Sequence, residues 1–218
     1  MNQTLEMARA DYIVSDLITL MNAQRAYLSE IDGAIGDGDH GINMSKGFSQ
    51  AAVKMAARAQ PPSLPQALDD LAMTLLEGIG GSMGPLYGGF FMAFSETLEG
   101  QSQLSAQNFG DALGAALGAA QEVGGAVVGD KTLIDTLVPA FDAYRAALER
   151  GETFEQCLRA MTAAAERGKN STIPLLAKVG RASRLGARSI GVLDAGATSS
   201  FLILECMARS IVTNLEGS

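Results

Sequence analysis

The chain has 218 residues, of which 47% are hydrophobic and 18% charged, and its formal net charge is −8. This composition is typical of a globular protein with a substantial core and excludes an intrinsically disordered chain. The negative charge argues against binding to nucleic acid or to an anionic membrane, because proteins neutralise phosphate backbones with Lys and Arg.

The cysteines and the N-terminal residues indicate a cytoplasmic protein. Cys157 and Cys206 are far apart and lack the spacing of a metal site, so we expect two reduced structural thiols. Residues 1–12 carry charges and no apolar run, which predicts that there is no signal peptide. The uncharged segment 78–95 contains several glycines and Pro85, so we expect a loop leading into a helix rather than a membrane span.

Helical periodicity dominates the first half of the chain. Apolar residues at positions 13, 17, 20 and 21 predict a first helix over about residues 4–31. A second helix carries apolar residues from Met44 to Met55 and ends before Pro61. Pro65 suits the first turn of a third helix, and a fourth is predicted from Pro85 to Leu98.

The second half continues the helical pattern. Ser105 is a predicted N-cap for a fifth helix, and Asp130 or Thr132 would begin a sixth, with Lys131 as an exposed base. Thr153 and Gln156 have the spacing of a capping box for a seventh. The last helix is predicted over residues 199 to about 213.

Strand signals are nearly absent, and no linker divides the chain. About eight helices of similar length joined by short loops predict a single all-α domain over residues 1–218. The expected architecture is an antiparallel barrel or bundle.

Three carboxylates crowd a glycine-rich segment after the first predicted helix. Asp32, Asp37 and Asp39 would repel one another unless they held a cation, and their hard oxygen atoms favour Mg²⁺ or Ca²⁺. A solvated turn is the alternative interpretation. The segment formally matches GxGxxG, but the residues before it look helical and the aspartates would repel a bare pyrophosphate. An EF-hand is excluded because Phe48 stands where its bidentate glutamate would be.

Glycines gather at four predicted helix junctions, around residues 33–41, 78–89, 124–129 and 180–196. The second cluster could form an anion-binding nest, although Gly88 and Gly89 fall inside a predicted helix and favour tight helix crossing there. His40, the only histidine, could donate a hydrogen bond to a phosphate or be a simple loop residue; a catalytic base is the less favoured interpretation.

The fourth cluster is locally basic. It is either a phosphate contact or a solvated face, and it contains Lys178, Arg181, Arg184 and Arg188. Taken together, the clusters predict a nucleotide–metal site at one end of the helical domain.

Five segments, in their order and spacing, resemble the nucleotide-binding L subunit of the dihydroxyacetone kinase family. They are Gly36–Met44, Gly84–Gly88, Gly129–Thr132, Gly180–Ser183 and Asp194–Thr198. The resemblance spans essentially the whole chain. It implies an eight-helix antiparallel up-and-down barrel that binds ADP or ATP and two Mg²⁺ ions at one end.

The resemblance also implies roles for individual residues. The metal ligands would be Asp32, Asp37 and Asp39. The nucleotide would be bound by His40, Gly41, Asn43, Ser82, Met83, Gly124, Leu133, Arg181, Asp194, Ala195 and Gly196. Two positions depart from the family, since Ala195 replaces a common proline and Met83 stands where a relative has serine.

By this resemblance the chain is expected to be a kinase subunit that transfers a phosphoryl group to dihydroxyacetone or a related short ketose. The sugar would be held covalently on a separate K subunit, so this chain supplies no nucleophile, and Arg181 would stabilise the negative charge of transfer. The donor would be either ATP or a phosphohistidine protein of the phosphoenolpyruvate-dependent phosphotransferase system, which would rephosphorylate bound ADP. Two alternatives are a regulatory ADP-binding module for a transcription factor and a purely structural helical bundle.

Overall fold

Nine α-helices occupy most of residues 3–215, the part of the chain that the computed structural model describes. They are α1 (Tyr12–Ala23), α2 (Arg25–Ile35), α3 (His40–Ala56), α4 (Leu64–Gly78), α5 (Met83–Leu98), α6 (Ala106–Gly124), α7 (Ile134–Glu149), α8 (Phe154–Ser171) and α9 (Ala195–Asn214). A three-residue strand and the 3₁₀ helix Met7–Arg9 precede α1, a second three-residue strand precedes α6, and the 3₁₀ helix Ala182–Ser189 lies between α8 and α9. The predicted all-α class is confirmed.

The helices pack in chain order and close into a ring. α1 contacts α3, each helix from α3 to α8 contacts the next one along the chain, and α9 returns to contact α1. α2 continues from α1 and packs on α3 and α9, so these first two helices together form one interrupted segment of a barrel with eight helical segments. Consecutive segments along the chain run antiparallel, as the sequence predicts.

The predicted first helix, over residues 4–31, is wrong at its start and in its continuity. It begins at Tyr12 and is interrupted at Gln24, whose φ of −90° and ψ of 3° depart from helical values. The interruption lets α2 lie against the first turn of α3. There Gly41 has no side chain, and a Cβ atom would come within 2.0 Å of the carbonyl oxygen of Arg25.

Residues before Tyr12 form a short sheet that the sequence pattern does not indicate. The strand β1 (Thr4–Glu6) pairs antiparallel with β2 (Gln103–Ser105), with Leu5 opposite Leu104. Both of these leucines are buried. A three-residue strand is too short to show a period of two, so only the partner strand reveals it.

The starts of three helices, α4, α6 and α8, agree with the predicted ones. Ser105 and Thr153 accept hydrogen bonds from the backbone three residues on, and Ser63 forms a capping box before Pro65. α7 begins later than predicted, at Ile134, because the Asp135 carboxylate accepts hydrogen bonds from backbone N–H groups in the preceding turn. α5 and α9 begin two and four residues earlier than predicted, at positions 83 and 195.

The barrel interior is apolar and rich in aromatic rings. Neighbouring ring centroids lie 5.3 to 6.2 Å apart along Phe48, Phe91, Phe90, Phe94 and Phe109, and Phe109 also contacts both Tyr144 and Phe154. Cys157 and Cys206 are free and buried, as predicted. α9 is long and apolar enough to span a membrane by composition, but 78% of its apolar window is buried inside the barrel.

Neighbouring glycines in α5 give a matched test of the packing. A Cβ atom at Gly88 would lie 2.5 Å from Leu76 Cγ on α4, whereas at Gly89 it would meet nothing within 4 Å. Tight helix crossing is thus confirmed for Gly88 and wrong for Gly89.

We expect Gly88→Ala to lower the free energy of unfolding by about 1–3 kcal/mol through overpacking. Gly89→Ala should instead raise it by up to about 1 kcal/mol, since alanine is the better helix former. Equal effects in urea denaturation would contradict this packing.

Candidate functional site

One end of the barrel carries four connections, and together they enclose a cavity. These connections are residues 36–39, 79–82, 125–133 and 172–194, which alternate with the connections at the opposite, sheet-bearing end. The cavity has a volume of about 430 Å³ and is lined by all four connections and the helix ends beside them. The sequence prediction that the glycine clusters meet at one end of the domain is therefore correct.

The cavity lining includes all but one of the predicted site residues. They are Asp32, Asp37, Asp39, His40, Asn43, Ser82, Met83, Gly124, Leu133, Arg181, Asp194, Ala195 and Gly196. The exception is Gly41, which is buried where α3 crosses α2. Its position explains its residue type by helix packing, and a direct contact with a nucleotide stays a prediction.

The three aspartates converge at the mouth of the cavity. Asp32 lies in the last turn of α2, and Asp37 and Asp39 follow in the connection to α3. Each offers one carboxylate oxygen, and these oxygens lie within 4.8 Å of one another. Opposite ligands of an octahedral Mg²⁺ ion are about 4.2 Å apart, so this donor set fits a hard divalent cation after a small side-chain adjustment.

Glycines determine the shape of the aspartate loop. A Cβ atom at Gly36 would lie 2.5 Å from Asp32 Oδ1. Any side chain at this position would therefore displace the Asp32 carboxylate. Gly38 has a φ of +77°, a left-handed conformation that side chains rarely adopt. Asp32 Oδ2 in turn accepts a hydrogen bond from the His40 backbone N–H at 3.3 Å, at the start of α3.

His40 belongs to a buried hydrogen-bonded group rather than to the solvated loop. Its Nε2 atom lies 2.9 Å from Ser199 Oγ on α9, and Ser199 Oγ lies 2.6 Å from the Tyr87 hydroxyl. The Tyr87 hydroxyl also contacts the Gly196 carbonyl oxygen at 3.2 Å. Burial lowers the pKa of His40 to about 4, although Asp32 opposes this, so the ring is neutral at pH 7. The group therefore joins α3, α5 and α9 beneath the cavity.

Tyr87 and Ser199 are site residues that the sequence does not single out. Tyr87 lies within a segment noted for its glycines, and burial raises its pKa to about 12, so it stays protonated. Ser199 is 159 residues from His40 along the chain, and no local spacing could indicate that they meet.

Arg181 approaches the aspartates from the long connection. Its guanidinium forms ion pairs with Asp37 and, at 3.4 Å, with Asp39. All three side chains are about half exposed, so the ion pairs contribute little to stability. This guanidinium neutralises part of the charge of the carboxylate cluster. The basic residues nearby behave differently: Lys178 pairs with Asp130, and neither Arg184 nor Arg188 lines the cavity.

The turn before α9 is organised by Asp194. Its carboxylate caps the helix by accepting a hydrogen bond from Ala197 N at 2.7 Å, and its own N–H donates to Thr172 Oγ1 at 3.1 Å. Burial raises the pKa of Asp194 to about 6, while the Ala197 hydrogen bond and the Lys131 ammonium lower it. Gly196 lies within the same turn, and a Cβ atom added there would lie only 3.1 Å from Asp194 Oδ2. The absence of proline at Ala195 does not prevent this turn from forming.

Known proteins share both the sequence and the fold. The DAK2 domain family matches residues 34–209. The chain is 36% identical to the PEP-dependent dihydroxyacetone kinase 2, ADP-binding subunit DhaL, of Listeria innocua, over 95% of this chain and 96% of that protein. It is 35% identical to the PEP-dependent dihydroxyacetone kinase, ADP-binding subunit DhaL, of Escherichia coli, over 87% and 90% of the two chains.

A solved structure supports the same relationship. The dihydroxyacetone kinase of C. freundii in its native form matches with a TM-score of 0.69 and 25% identity, over 92% of this chain. The complex of that kinase with AMP-PNP and Mg²⁺ matches with a TM-score of 0.67 and 23% identity, over 96% of this chain. This chain spans about a third of the C. freundii kinase, 34% and 35% of its length in the two structures. The chain belongs to the DAK2 domain family, together with these DhaL proteins.

Proposed function

We propose that this chain binds ADP or ATP with Mg²⁺ and serves as the phosphoryl-transferring subunit of a kinase for dihydroxyacetone or a related short ketose. The observation that carries the proposal is the meeting of three carboxylates and one guanidinium at the mouth of a glycine-lined cavity of about 430 Å³. A cavity of this size suits a small-molecule cofactor. The relatives named as ADP-binding subunits and the C. freundii complex with AMP-PNP and Mg²⁺ support the choice of ligand.

The residues at the site would have separate roles in phosphoryl transfer. Asp32, Asp37 and Asp39 would hold Mg²⁺, which when bound neutralises the charge of the phosphate oxygens. Arg181, released from its pairs with Asp37 and Asp39, would face the phosphate and stabilise negative charge during transfer. His40 is neutral and hydrogen-bonded to Ser199, so its contribution is to orient the first turn of α3 rather than to act as a base.

The acceptor sugar is proposed to be presented by a separate K subunit. Exposed apolar residues, which we call the apolar rim, lie at the end of α6 and on the connections 125–133 and 172–194. They are 38–59% exposed, and two of them, Val123 and Val179, line the cavity; the others are Val127, Val128, Ile173, Leu176 and Ile190. An apolar surface of this kind beside a charged site is typical of a protein–protein interface. Because the phosphoryl group must leave through the mouth of the cavity, a K subunit that receives it must cover this rim.

For the donor, we propose that ADP stays bound and is rephosphorylated in place by a phosphohistidine protein. Support comes from the names of relatives matched along nearly their whole length, which are PEP-dependent or, for a Lactococcus lactis protein, PTS-dependent. In the alternative, ATP binds and ADP leaves in each turnover.

The test combines ligand retention with turnover. The purified protein should keep ADP through desalting in the presence of Mg²⁺ and lose it in EDTA. Together with a K subunit of this family and dihydroxyacetone, it should transfer phosphate only when the phosphotransferase proteins and phosphoenolpyruvate are added. Turnover with ATP alone would reverse the donor assignment. Retention of ADP without any turnover in the presence of the K subunit would instead favour the regulatory ADP-binding module. If calorimetry detected no MgADP binding, the chain would be a purely structural helical bundle.

A further inference from the structure

The connection between α6 and α7 contains a buried lysine that the proposed reaction does not use. Lys131 is only 2% exposed, although its sequence neighbourhood predicts an exposed base, and that prediction is wrong. Its ammonium donates hydrogen bonds to the carbonyl oxygens of Thr172 and Val192, both at 2.5 Å. A buried ammonium is costly unless it is hydrogen-bonded, so these contacts explain how it can be buried.

The backbone at Lys131 is unusual as well. Its φ is +65°, and it is the only non-glycine residue among residues 3–215 with a positive φ, whereas nine glycines share that conformation. A left-handed conformation is unfavourable for a residue with a side chain, and glycine would avoid this cost. A lysine held in this conformation indicates that its side chain is required at this position.

The two acceptors lie at opposite ends of the longest connection among the described residues. Thr172 follows α8, and Val192 precedes the Asp194 turn that starts α9. The ends of this connection also meet through a hydrogen bond from Gly191 N to the Ile173 carbonyl oxygen at 2.7 Å. One ammonium therefore fastens the base of a closed loop, which we call the 172–194 loop.

The 172–194 loop carries two parts of the candidate site. Arg181 lies within it and pairs with Asp37 and Asp39 across the cavity mouth, and Asp194 is fixed to Thr172 Oγ1 at its end. Lys131 lines the same cavity and lies close enough to Asp194 for their charges to interact. Movement at the base of the loop would therefore displace both the guanidinium and the turn before α9.

We propose that Lys131 is a positioning residue of the nucleotide site, which closes the base of the 172–194 loop and so holds Arg181 and the Asp194–Gly196 turn in place. The assignment of the ligand rests on the proposed function. The closure of the loop is a property of the nucleotide-free chain and can be measured independently.

The test uses Lys131→Met, which keeps an unbranched side chain and removes the donors. In the nucleotide-free full chain, the amides of Gly191 and Asp194 should exchange with deuterium at least about tenfold faster than in the wild type. Amides in α4 and α5 should be unchanged. MgADP affinity, measured by calorimetry, should fall by about tenfold or more, as for other buried supports of a metal site.

Two control variants separate positioning from general destabilisation. Tyr144→Phe removes a partly buried hydrogen bond to the Ala106 carbonyl oxygen at the opposite end of the barrel, so it should lower stability without changing MgADP affinity. Lys178→Met removes an exposed ion pair to Asp130, which joins the same two connections, and should change little. If Lys131→Met does not fold, Lys131→Gly removes the same donors at a left-handed position that suits glycine, and it carries the same measurements.

Unchanged exchange at Gly191 and Asp194 in the Lys131 variant would overturn the closure of the loop. Faster exchange with wild-type MgADP affinity would overturn the positioning role. If the wild type itself does not bind MgADP, the proposed nucleotide function fails, and the exchange experiment still decides whether Lys131 closes the loop.

Discussion

Replacing Asp37 with alanine is expected to abolish retention of ADP, with MgADP affinity falling by about 100-fold or more. Asp37 is one of three carboxylates whose oxygens lie within 4.8 Å of one another, and the two that remain would have to hold the cation alone. Residues that only hydrogen-bond to metal ligands contribute about 10- to 100-fold to metal affinity. A direct ligand should contribute at least as much. Isothermal titration calorimetry with ADP at saturating Mg²⁺ measures the loss.

The same variant should fold as well as the wild type. Asp37 is about half exposed, and its removal breaks only an exposed ion pair with Arg181 while relieving repulsion from the neighbouring carboxylates. Thermal melting without nucleotide should therefore show little change. Asp142→Ala, which removes an exposed carboxylate on α7, is the matched control for net charge and should bind MgADP normally. Wild-type affinity in Asp37→Ala would show that the aspartates do not hold the metal.

Replacing Arg181 with glutamine is expected to reduce turnover with the K subunit by about 10²–10³-fold, the usual effect of losing one donor that stabilises transition-state charge. MgADP affinity should change far less, since the guanidinium pairs with the aspartates and would face the phosphate only during transfer. Steady-state kinetics at saturating sugar, together with calorimetry on the same preparation, separate the two effects.

Mg²⁺ binding without nucleotide gives a second, opposite expectation for this variant. Arg181 neutralises Asp37 and Asp39 when no metal is present, so its guanidinium competes with a cation for the same oxygens. Arg181→Gln should therefore bind Mg²⁺ alone more tightly than the wild type does. Arg184→Gln, in the 3₁₀ helix that follows Arg181 but outside the cavity lining, is the control and should change neither turnover nor Mg²⁺ binding. Equal loss of turnover in both variants would point to a general effect of positive charge.

The sequence by itself determines the class of the fold and indicates which segments form the candidate site. Apolar residues at helical spacing and capping residues such as Ser105 and Thr153 are local signals, because a helix makes its hydrogen bonds between residues four apart. The aspartates from 32 to 39 are likewise close in sequence, so their shared chemistry can be predicted without a structure. The glycine clusters show which connections can approach a ligand.

Only the tertiary structure decides the contacts between distant segments. The pairing of residues 4–6 with 103–105, the bonding of His40 to Ser199, and the burial of Lys131 each join residues far apart along the chain. Nothing near Lys131 in sequence distinguishes a solvated lysine from one that fastens a loop, because its acceptors are backbone carbonyl groups, which every residue has. The barrel closure places those carbonyls around it, and so gives an ordinary lysine a specific position in the site.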